Sequence, residues 1–298
     1  MATRDLPIVG DSFAVGFRFQ RYWDTPMANA FFFGELGAGL FFVSLLCGYA
    51  GGMVAGLLIT GLLKTWFHLS HMGVPAKSWR AILRPDRSWV SRGLLGIVCL
   101  MGFGGLHAFV TWTGALEPGS IVALLLQLAA AAAALVVMTY QGFAMSHSTA
   151  ISLWNTGLMP VSSLLYSATG GVMLVLVGGS WNGFFVQAHE TRPILVTAAL
   201  VLMLALAVLL LSLLHAAHHG SPGGRKSVEL LTRSYFAKWF YTFVCALGLA
   251  LPAVLLAGGS GSFAAVALAA AGMLAGYYAF RVLIFKAGVF EPILNFRP

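Results

Sequence analysis

The chain has 298 residues, of which 59% are hydrophobic and only 9% are charged, and its formal net charge is +8. This balance excludes a soluble protein, because no soluble domain of this length needs so many apolar residues to fill one core. The positive charge invites a nucleic-acid-binding interpretation, but the basic residues fall between the apolar runs in the pattern of a membrane protein.

Eight apolar windows of roughly 20 residues, the length that crosses the hydrocarbon layer, follow one another along the chain. We therefore predict an all-α integral membrane protein, an eight-transmembrane-helix bundle that forms a single membrane domain over residues 1–298. It divides into an interfacial N-terminal segment (1–26), the transmembrane helices (27–285) and a C-terminal tail (286–298). The predicted helices are Met27–Cys47, Gly51–His68, Gly93–Trp112, Ile121–Tyr140, Leu153–Gly178, Pro193–Leu214, Trp239–Ala257 and Phe263–Leu283.

Residues 1–26 precede the first window and are predicted to lie along the membrane surface. Between Phe13 and Trp23, aromatic residues are interleaved with arginines, as in interfacial segments. The segment shows no apolar core followed by a cleavage site, so we expect no removable signal peptide. Thr25 and Pro26 supply a cap and a first helical position for the first helix.

If the helices alternate in direction, the basic residues divide very unevenly between the two sides of the membrane. The termini and the loops 69–92, 141–152 and 215–238 share one side, and every lysine and arginine except Arg192 belongs to that side. Positive residues are retained on the cytoplasmic side of membrane proteins. We therefore predict that both termini are cytoplasmic, and we expect the membrane to be the cytoplasmic membrane of a bacterium or archaeon.

The three cysteines, Cys47, Cys99 and Cys245, lie inside apolar windows and lack the spacing of metal ligands. They are predicted to be buried small apolar residues. No glycine-rich nucleotide loop follows a strand anywhere in the sequence. We therefore expect this chain to hold no iron-sulfur cluster and no other metal site.

Glu35 is the acidic residue that lies deepest in an apolar window, about 12 Å below the cytoplasmic end of its helix. Arg281, near the end of the last helix, is expected at a similar depth. An ionisable group in hydrocarbon needs a partner or a function. The pair is either an ion pair that fixes helix register or a proton-handling carboxylate beside a redox site. An eight-helix secondary transporter with this coupling pair is a further alternative, although the sequence shows no internal repeat.

Histidines raise the question of b-type haem, which needs two imidazoles facing each other at matched depth. His107 has no histidine at its own depth. His215, His218 and His219 are predicted near the same surface as His68, so a haem-containing anchor stays open as an alternative. We expect no haem in this chain.

The loop after the second helix carries two recognisable segments. They read His71-Met72-Gly73-Val74-Pro75-Ala76-Lys77 and Ser88-Trp89-Val90-Ser91-Arg92-Gly93. These segments resemble the His-Leu-Gly-x-Pro-x-Arg and Ser-Trp-x-Ser-Arg signatures of the NrfD and DMSO reductase anchor superfamily, which includes the polysulfide reductase membrane subunit. Further similar segments are Gly34–Gly39, Trp154–Pro160 and Arg281–Gly288, so the resemblance reaches from one end of the chain to the other.

The resemblance implies a haem-free membrane anchor that exchanges electrons between menaquinone or ubiquinone and a partner subunit. That partner would be a ferredoxin-like protein with four iron-sulfur clusters. It would connect in turn to a molybdenum or tungsten bis-pterin subunit, where the substrate chemistry takes place. The lipid bilayer is the remaining expected partner, and nucleic acid is not one.

The resemblance also implies positions for the quinone site. His71 matches the family histidine next to the quinol, Gly73 matches its glycine, and Lys77 stands where arginine is usual. Gly93 stands where DMSO reductase anchors often have a glutamate. The resemblance therefore shifts the expected proton-handling role toward Glu35. Quinone chemistry moves two electrons and two protons and needs hydrogen-bonding groups at both ring oxygens. We predict Glu35 and His71 as the catalytic, proton-handling residues, and a quinone site drawn from His71, Gly73, Lys77, Tyr140, Asn155 and Arg281.

Overall fold

Eight long apolar helices make up most of the structure, a computed structural model that describes residues 16–117, 119–259 and 262–291. Each of the eight is long and apolar enough to cross a membrane, so the predicted all-α, eight-helix membrane fold is confirmed within the described residues. Residues 1–15 of the predicted interfacial segment and residues 292–298 of the predicted tail lie outside them. The helices are α1 (Thr25–Cys47), α2 (Ala50–His71), α3 (Trp89–Thr113), α4 (Ile121–Ser146), α5 (Leu158–Trp181), α6 (Thr191–Gly220), α7 (Ala237–Gly259) and α8 (Phe263–Lys286).

The first two helices form a hairpin with a very short turn, as predicted. Gly48 ends α1 in the left-handed conformation at φ 69°, which glycine adopts without steric cost. The Tyr49 amide then donates to the Ser44 carbonyl at 2.8 Å. The predicted first helix ends at Cys47 and the predicted second helix begins at Gly51. In the structure the reversal occurs at Gly48, so α2 begins one residue earlier than predicted, at Ala50.

Helix α5 begins at Leu158, later than the predicted Leu153. Residues 151–157 form turns instead, and the Thr156 hydroxyl accepts a hydrogen bond from the Leu158 amide at 3.3 Å. Trp154 in this stretch is buried and its indole donates to the Ile284 carbonyl at 2.8 Å. The apolar pattern of these residues predicts a helix, but the contact of Trp154 with the end of α8 holds them in turns instead.

Helix α1 is the centre of the bundle. One buried hydrophobic cluster joins it to α2, α3 and α4, and a second joins it to α5, α6, α7 and α8. Most residues of α1 are buried, including Glu35 and its two sequence neighbours, Gly34 and Leu36. A side chain in the middle of α1 is therefore enclosed by protein on all sides.

The two ends of the described chain meet on one face of the bundle, which we call the terminal face. Strand β1 (Arg18–Phe19) pairs antiparallel with β2 (Val289–Phe290). The Gln20 side chain fastens the strands to the helices, donating to the Phe285 carbonyl at 3.1 Å. The α2–α3, α4–α5 and α6–α7 connections lie on the same face, because the helices alternate in direction.

Glu291, at the end of the described chain, joins two of these connections. Its carboxylate accepts hydrogen bonds from Ser152 at 2.6 Å, from the Ser221 hydroxyl, and from the Gly223 amide at 3.2 Å. Ser221 also caps the short helix Pro222–Thr232. Partial burial raises the pKa of Glu291, but these donors and the Gly224 amide outweigh it and hold the pKa below its usual range.

Candidate functional site

A buried ion pair between the first and last helices lies in the interior of the bundle. Arg281 Nη2 is 2.6 Å from Glu35 Oε2, and both side chains are fully buried. Tyr277, one helical turn before Arg281, donates its hydroxyl to the same carboxylate oxygen. Arg281 also donates to the Ser163 hydroxyl on α5 at 3.1 Å. The structure therefore brings together Glu35 and Arg281, which the sequence predicted at similar depth, and adds two hydrogen-bonding partners.

Gln141 connects this ion pair to a tyrosine on α4. Its fully buried side chain lies 3.1 Å from Glu35 Oε1 and 3.2 Å from the Tyr140 hydroxyl. The prediction ended the fourth helix at Tyr140 and assigned Gln141 to a loop. In the structure α4 continues to Ser146, and this is why sequence reasoning missed Gln141.

Lys64 lies beside the same tyrosine. It is 5% exposed, at the end of a π-helical stretch of α2 that covers Ile59–Lys64. Its ammonium group is 5.7 Å from the centroid of the Tyr140 ring, within cation–π distance. π-helical turns change which residues share a helix face and often occur at functional sites. The residue order shows no sign of this stretch, and the inward-facing lysine was not among the predicted site residues.

Gly34 makes the close packing around Lys64 and Gln141 possible. A Cβ atom at this position would lie 2.7 Å from the Gln141 amide nitrogen and 2.9 Å from Lys64 Cγ. A larger residue here would therefore force the Gln141 or Lys64 side chain to shift.

A cavity of about 430 Å³ opens next to Lys64 and Tyr140, between α2, α3, α4 and the 3₁₀ segment Pro75–Leu83. His68 adds an imidazole, whose nitrogen Nδ1 has no hydrogen-bond partner among the described residues, and Thr65 and Ser78 add two hydroxyl groups. The rest of the lining is mainly apolar and includes Leu69, Met72, Ile82, Leu94 and Ile97. The cavity thus combines an apolar wall with one buried cation, one imidazole, one phenol ring and two hydroxyl groups.

The other predicted site residues lie elsewhere on the terminal face. His71 does not line the cavity, and its Nδ1 is 3.0 Å from Asp24 Oδ1, just before α1. Gly73 and Lys77 are exposed on the α2–α3 connection, and Asn155 is exposed before α5. Of the predicted set, the structure therefore groups Glu35, Tyr140 and Arg281, and leaves the remaining four outside this group.

The segment Ser88–Arg92 has an evident structural role. Ser88 caps α3 by accepting a hydrogen bond from the Ser91 amide at 3.3 Å. Arg92 stacks over the Trp89 ring at 4.4 Å and donates to the Pro85 carbonyl at 2.7 Å. Trp89 itself stacks on Phe143 of α4, with ring centroids 4.1 Å apart. These contacts fix the start of α3 and so one wall of the cavity.

The profile of the protein family described as "Polysulphide reductase, NrfD" matches residues 16–292, nearly the whole chain. The chain belongs to the NrfD family. The resemblance carried by the two loop segments is thereby confirmed, and the NrfD chain is a multi-pass membrane protein with eight apolar helices in its described part. A search of curated proteins gave no match.

Proposed function

We propose that this chain is the quinone-reactive membrane anchor of a multi-subunit oxidoreductase. It passes electrons between menaquinone or ubiquinone and an iron-sulfur partner subunit, which serves a molybdenum or tungsten bis-pterin catalytic subunit. The observation that carries the proposal is the cavity at Lys64, His68 and Tyr140, because hydrogen bonds connect it through Gln141 to the buried Glu35–Arg281 pair.

The cavity suits the head group of a quinone. Its volume of about 430 Å³ falls in the range of small-molecule sites, and such sites combine an apolar lining with a few placed polar groups. Lys64 and His68 are able to donate hydrogen bonds to a ring oxygen. The exposed apolar side chains of α3 next to the cavity, such as Val98, leave room for an isoprenoid tail along the lipid-facing surface.

Protons also need a route, because a quinol releases two protons with its two electrons. Glu35 is the acidic residue that hydrogen bonds connect to the cavity, by way of Gln141 and Tyr140. We assign it the proton-accepting role. His71 and Asp24, which are partly exposed on the terminal face, are assigned to passing protons to water rather than to contacting the quinone.

The partner subunit is placed on the terminal face. The 3₁₀ segment Pro75–Leu83 lines the cavity with Trp79 and Ile82 and carries exposed Lys77 and Arg80 beside them. A docked iron-sulfur protein would contact these cations while its nearest cluster lay a short distance from the quinone. Orientation by the positive-inside rule puts this face in the cytoplasm.

The proposal is tested with the assembled complex, by comparing quinol-coupled turnover with turnover of a soluble redox dye that reaches the partner subunits directly. We expect Lys64→Met to lower the quinol reaction about a hundredfold and leave dye turnover unchanged, because it removes the buried cation. The matched control is Lys226→Met, at an exposed ion pair with Glu229. Parental quinol turnover in Lys64→Met, or purification without any iron-sulfur partner, contradicts the proposal.

A further inference from the structure

A long apolar groove lies between α6 and α7, outside the helices that line the cavity at Lys64. Its volume is about 550 Å³, and its lining is mainly aliphatic. On α6 the lining runs from Leu200 to Leu214, which at 1.5 Å per residue is about 21 Å. One leaflet of a bilayer contributes roughly 15 Å of hydrocarbon. A whole acyl chain therefore fits along the groove.

The end of the groove at the terminal face carries polar groups. The hydroxyl-bearing residues Thr232 and Tyr241 line this end. On α6, Leu211 and Leu214 line the groove three residues apart, and His218 follows four residues later. This spacing keeps the three side chains on one face of the helix. His218 therefore lies at the mouth of the groove, where the helix reaches the terminal face.

Positive charge is concentrated around His218. The charges of Arg225 and Arg233 act on it, and those of His215 and His219 add to them when these neighbours are protonated. Both arginines are exposed, and they belong to the short connecting helix after α6 and the residue that follows it. We call His218, Arg225 and Arg233 the basic cluster.

The arginines of the basic cluster are not neutralised by the part of the chain that the structure describes. Neither forms an ion pair with a described residue. Glu229 lies on the same helix as Arg225, but it pairs with Lys226 at 3.0 Å. A guanidinium group presents a planar set of donors that matches a phosphate group. The cluster therefore offers charge and hydrogen bonds to an external anion.

We propose that the groove and the basic cluster together bind one anionic phospholipid, with an acyl chain between α6 and α7 and the phosphodiester at Arg225 and Arg233. The cluster complements the charge of the head group, and the groove directly below it contacts the chain. Basic pockets between transmembrane helices on the cytoplasmic side are a general form of anionic lipid site. The lipid fills the space between the two helices and requires no quinone, so this inference is independent of the proposed function.

The first experiment titrates the purified full chain in detergent with phosphatidylglycerol or with phosphatidylcholine of the same acyl chains, and native mass spectrometry counts the lipids retained. We expect one phosphatidylglycerol per chain at concentrations at which phosphatidylcholine is lost. Arg225→Gln combined with Arg233→Gln should weaken its binding roughly thirtyfold, from about fivefold for each surface cation.

The control for this pair is Arg80→Gln combined with Arg84→Gln, which removes two exposed cations elsewhere on the terminal face. Its retention of phosphatidylglycerol should equal that of the parental chain. Equal retention of the two lipids, or equal weakening in the two double variants, overturns the proposal.

The second experiment tests the groove without a change of charge. Ala207→Phe places a ring in the groove and should weaken the retention of phosphatidylglycerol about tenfold, whereas Val208→Phe, which faces lipid beside the groove, should not. Ala253→Leu narrows the groove from α7 and replaces the first variant where that one does not fold. Parental retention in a folded groove variant shows that the acyl chain lies elsewhere and overturns the proposal.

Two other occupants of the basic cluster would give different results. Soluble glycerol phosphate that binds as tightly as phosphatidylglycerol would identify the cluster as a site for free phosphate esters. Loss of partner subunits from the complex that carries Arg225→Gln and Arg233→Gln, with lipid retention unchanged, would identify the cluster as a protein contact. Either result overturns the assignment to a phospholipid.

Discussion

His71 Nδ1 lies 3.0 Å from Asp24 Oδ1, so the last residue of α2 is tied to the residue that precedes α1. Its neighbours Leu69 and Met72 line the cavity, but the imidazole of His71 points away from it. The histidine is therefore placed between the interior of the bundle and the solvent at the terminal face. This position fits proton exchange with water better than direct contact with a bound ring.

We expect His71→Ala to slow quinol-coupled turnover about tenfold and to leave dye turnover unchanged, because an exchanging group at the surface is lost. Imidazole added to the buffer should restore part of the rate. The control is His215→Ala, which removes an exposed histidine elsewhere on the terminal face. The role is disproved if steady-state rates with quinol match the parental rates.

Replacing Arg281 and replacing Glu35 should lower the stability of the protein by unequal amounts. Arg281→Met should destabilise the protein by about 3–5 kcal/mol, because it leaves the Glu35 carboxylate buried without its cation. Glu35→Gln keeps the packing and should be milder, and the double variant should regain part of the lost stability. Thermal unfolding of the purified protein in detergent measures all three. Additive losses in the double variant would show that the two residues do not interact.

The topology prediction is tested by labelling with an impermeant thiol reagent in intact cells. Cysteines introduced at the termini and at Arg225 should be protected, whereas Glu117→Cys, on the opposite face, should react. The reason is that nearly all basic residues share the terminal face. Labelling at Arg225 but not at residue 117 reverses the orientation and with it the docking side.

The haem prediction is tested by the reduced-minus-oxidised absorption spectrum of the purified subunit. We expect no b-type bands, because His68 and His107 lie at different depths and His215 packs against His219 of its own helix, with ring centroids 4.5 Å apart. A stoichiometric b-type spectrum would establish the alternative, a haem-containing anchor.

The stability of the terminal face should depend on pH through Glu291. Its pKa is lowered in the folded protein, so its contribution to stability is complete above the unfolded value and is lost as the pH falls through the folded value. The protection of the Gly223 and Gly224 amides against hydrogen exchange, measured relative to the intrinsic exchange rate at each pH, should therefore fall at acidic pH. Glu291→Gln should show low protection at every pH, and an unchanged profile in that variant would contradict the assignment.

The number and order of the helices followed from the sequence because lipid fixes the length of an apolar span. The Glu35–Arg281 pair was also within reach, since an ionisable residue deep in an apolar window needs a partner. Both inferences rest on features that can be read directly from the sequence: the length of an apolar run, and the depth of an ionisable residue within it.

The side-chain composition of the cavity did not follow from the sequence. The inward turn of Lys64 occurs at a π-helical stretch, which leaves no pattern in the residue order. Gln141 was assigned to a loop because α4 extends past its apolar window, where protein contacts replace lipid. His68 and His71 are one helical turn apart, and only the packing of α2 against α1 and α3 decides which one faces the cavity.

The pairing of the first helix with the last has a consequence for biogenesis. During synthesis α1 enters the membrane while Arg281 has not yet been translated, so Glu35 has to be accommodated without its cation, as the neutral acid or by the insertion machinery. A nascent chain that stops after α7 keeps an uncompensated acid in its central helix. The arrival of α8 thus distinguishes finished chains from truncated ones, and membrane quality-control proteases are expected to degrade the truncated form selectively.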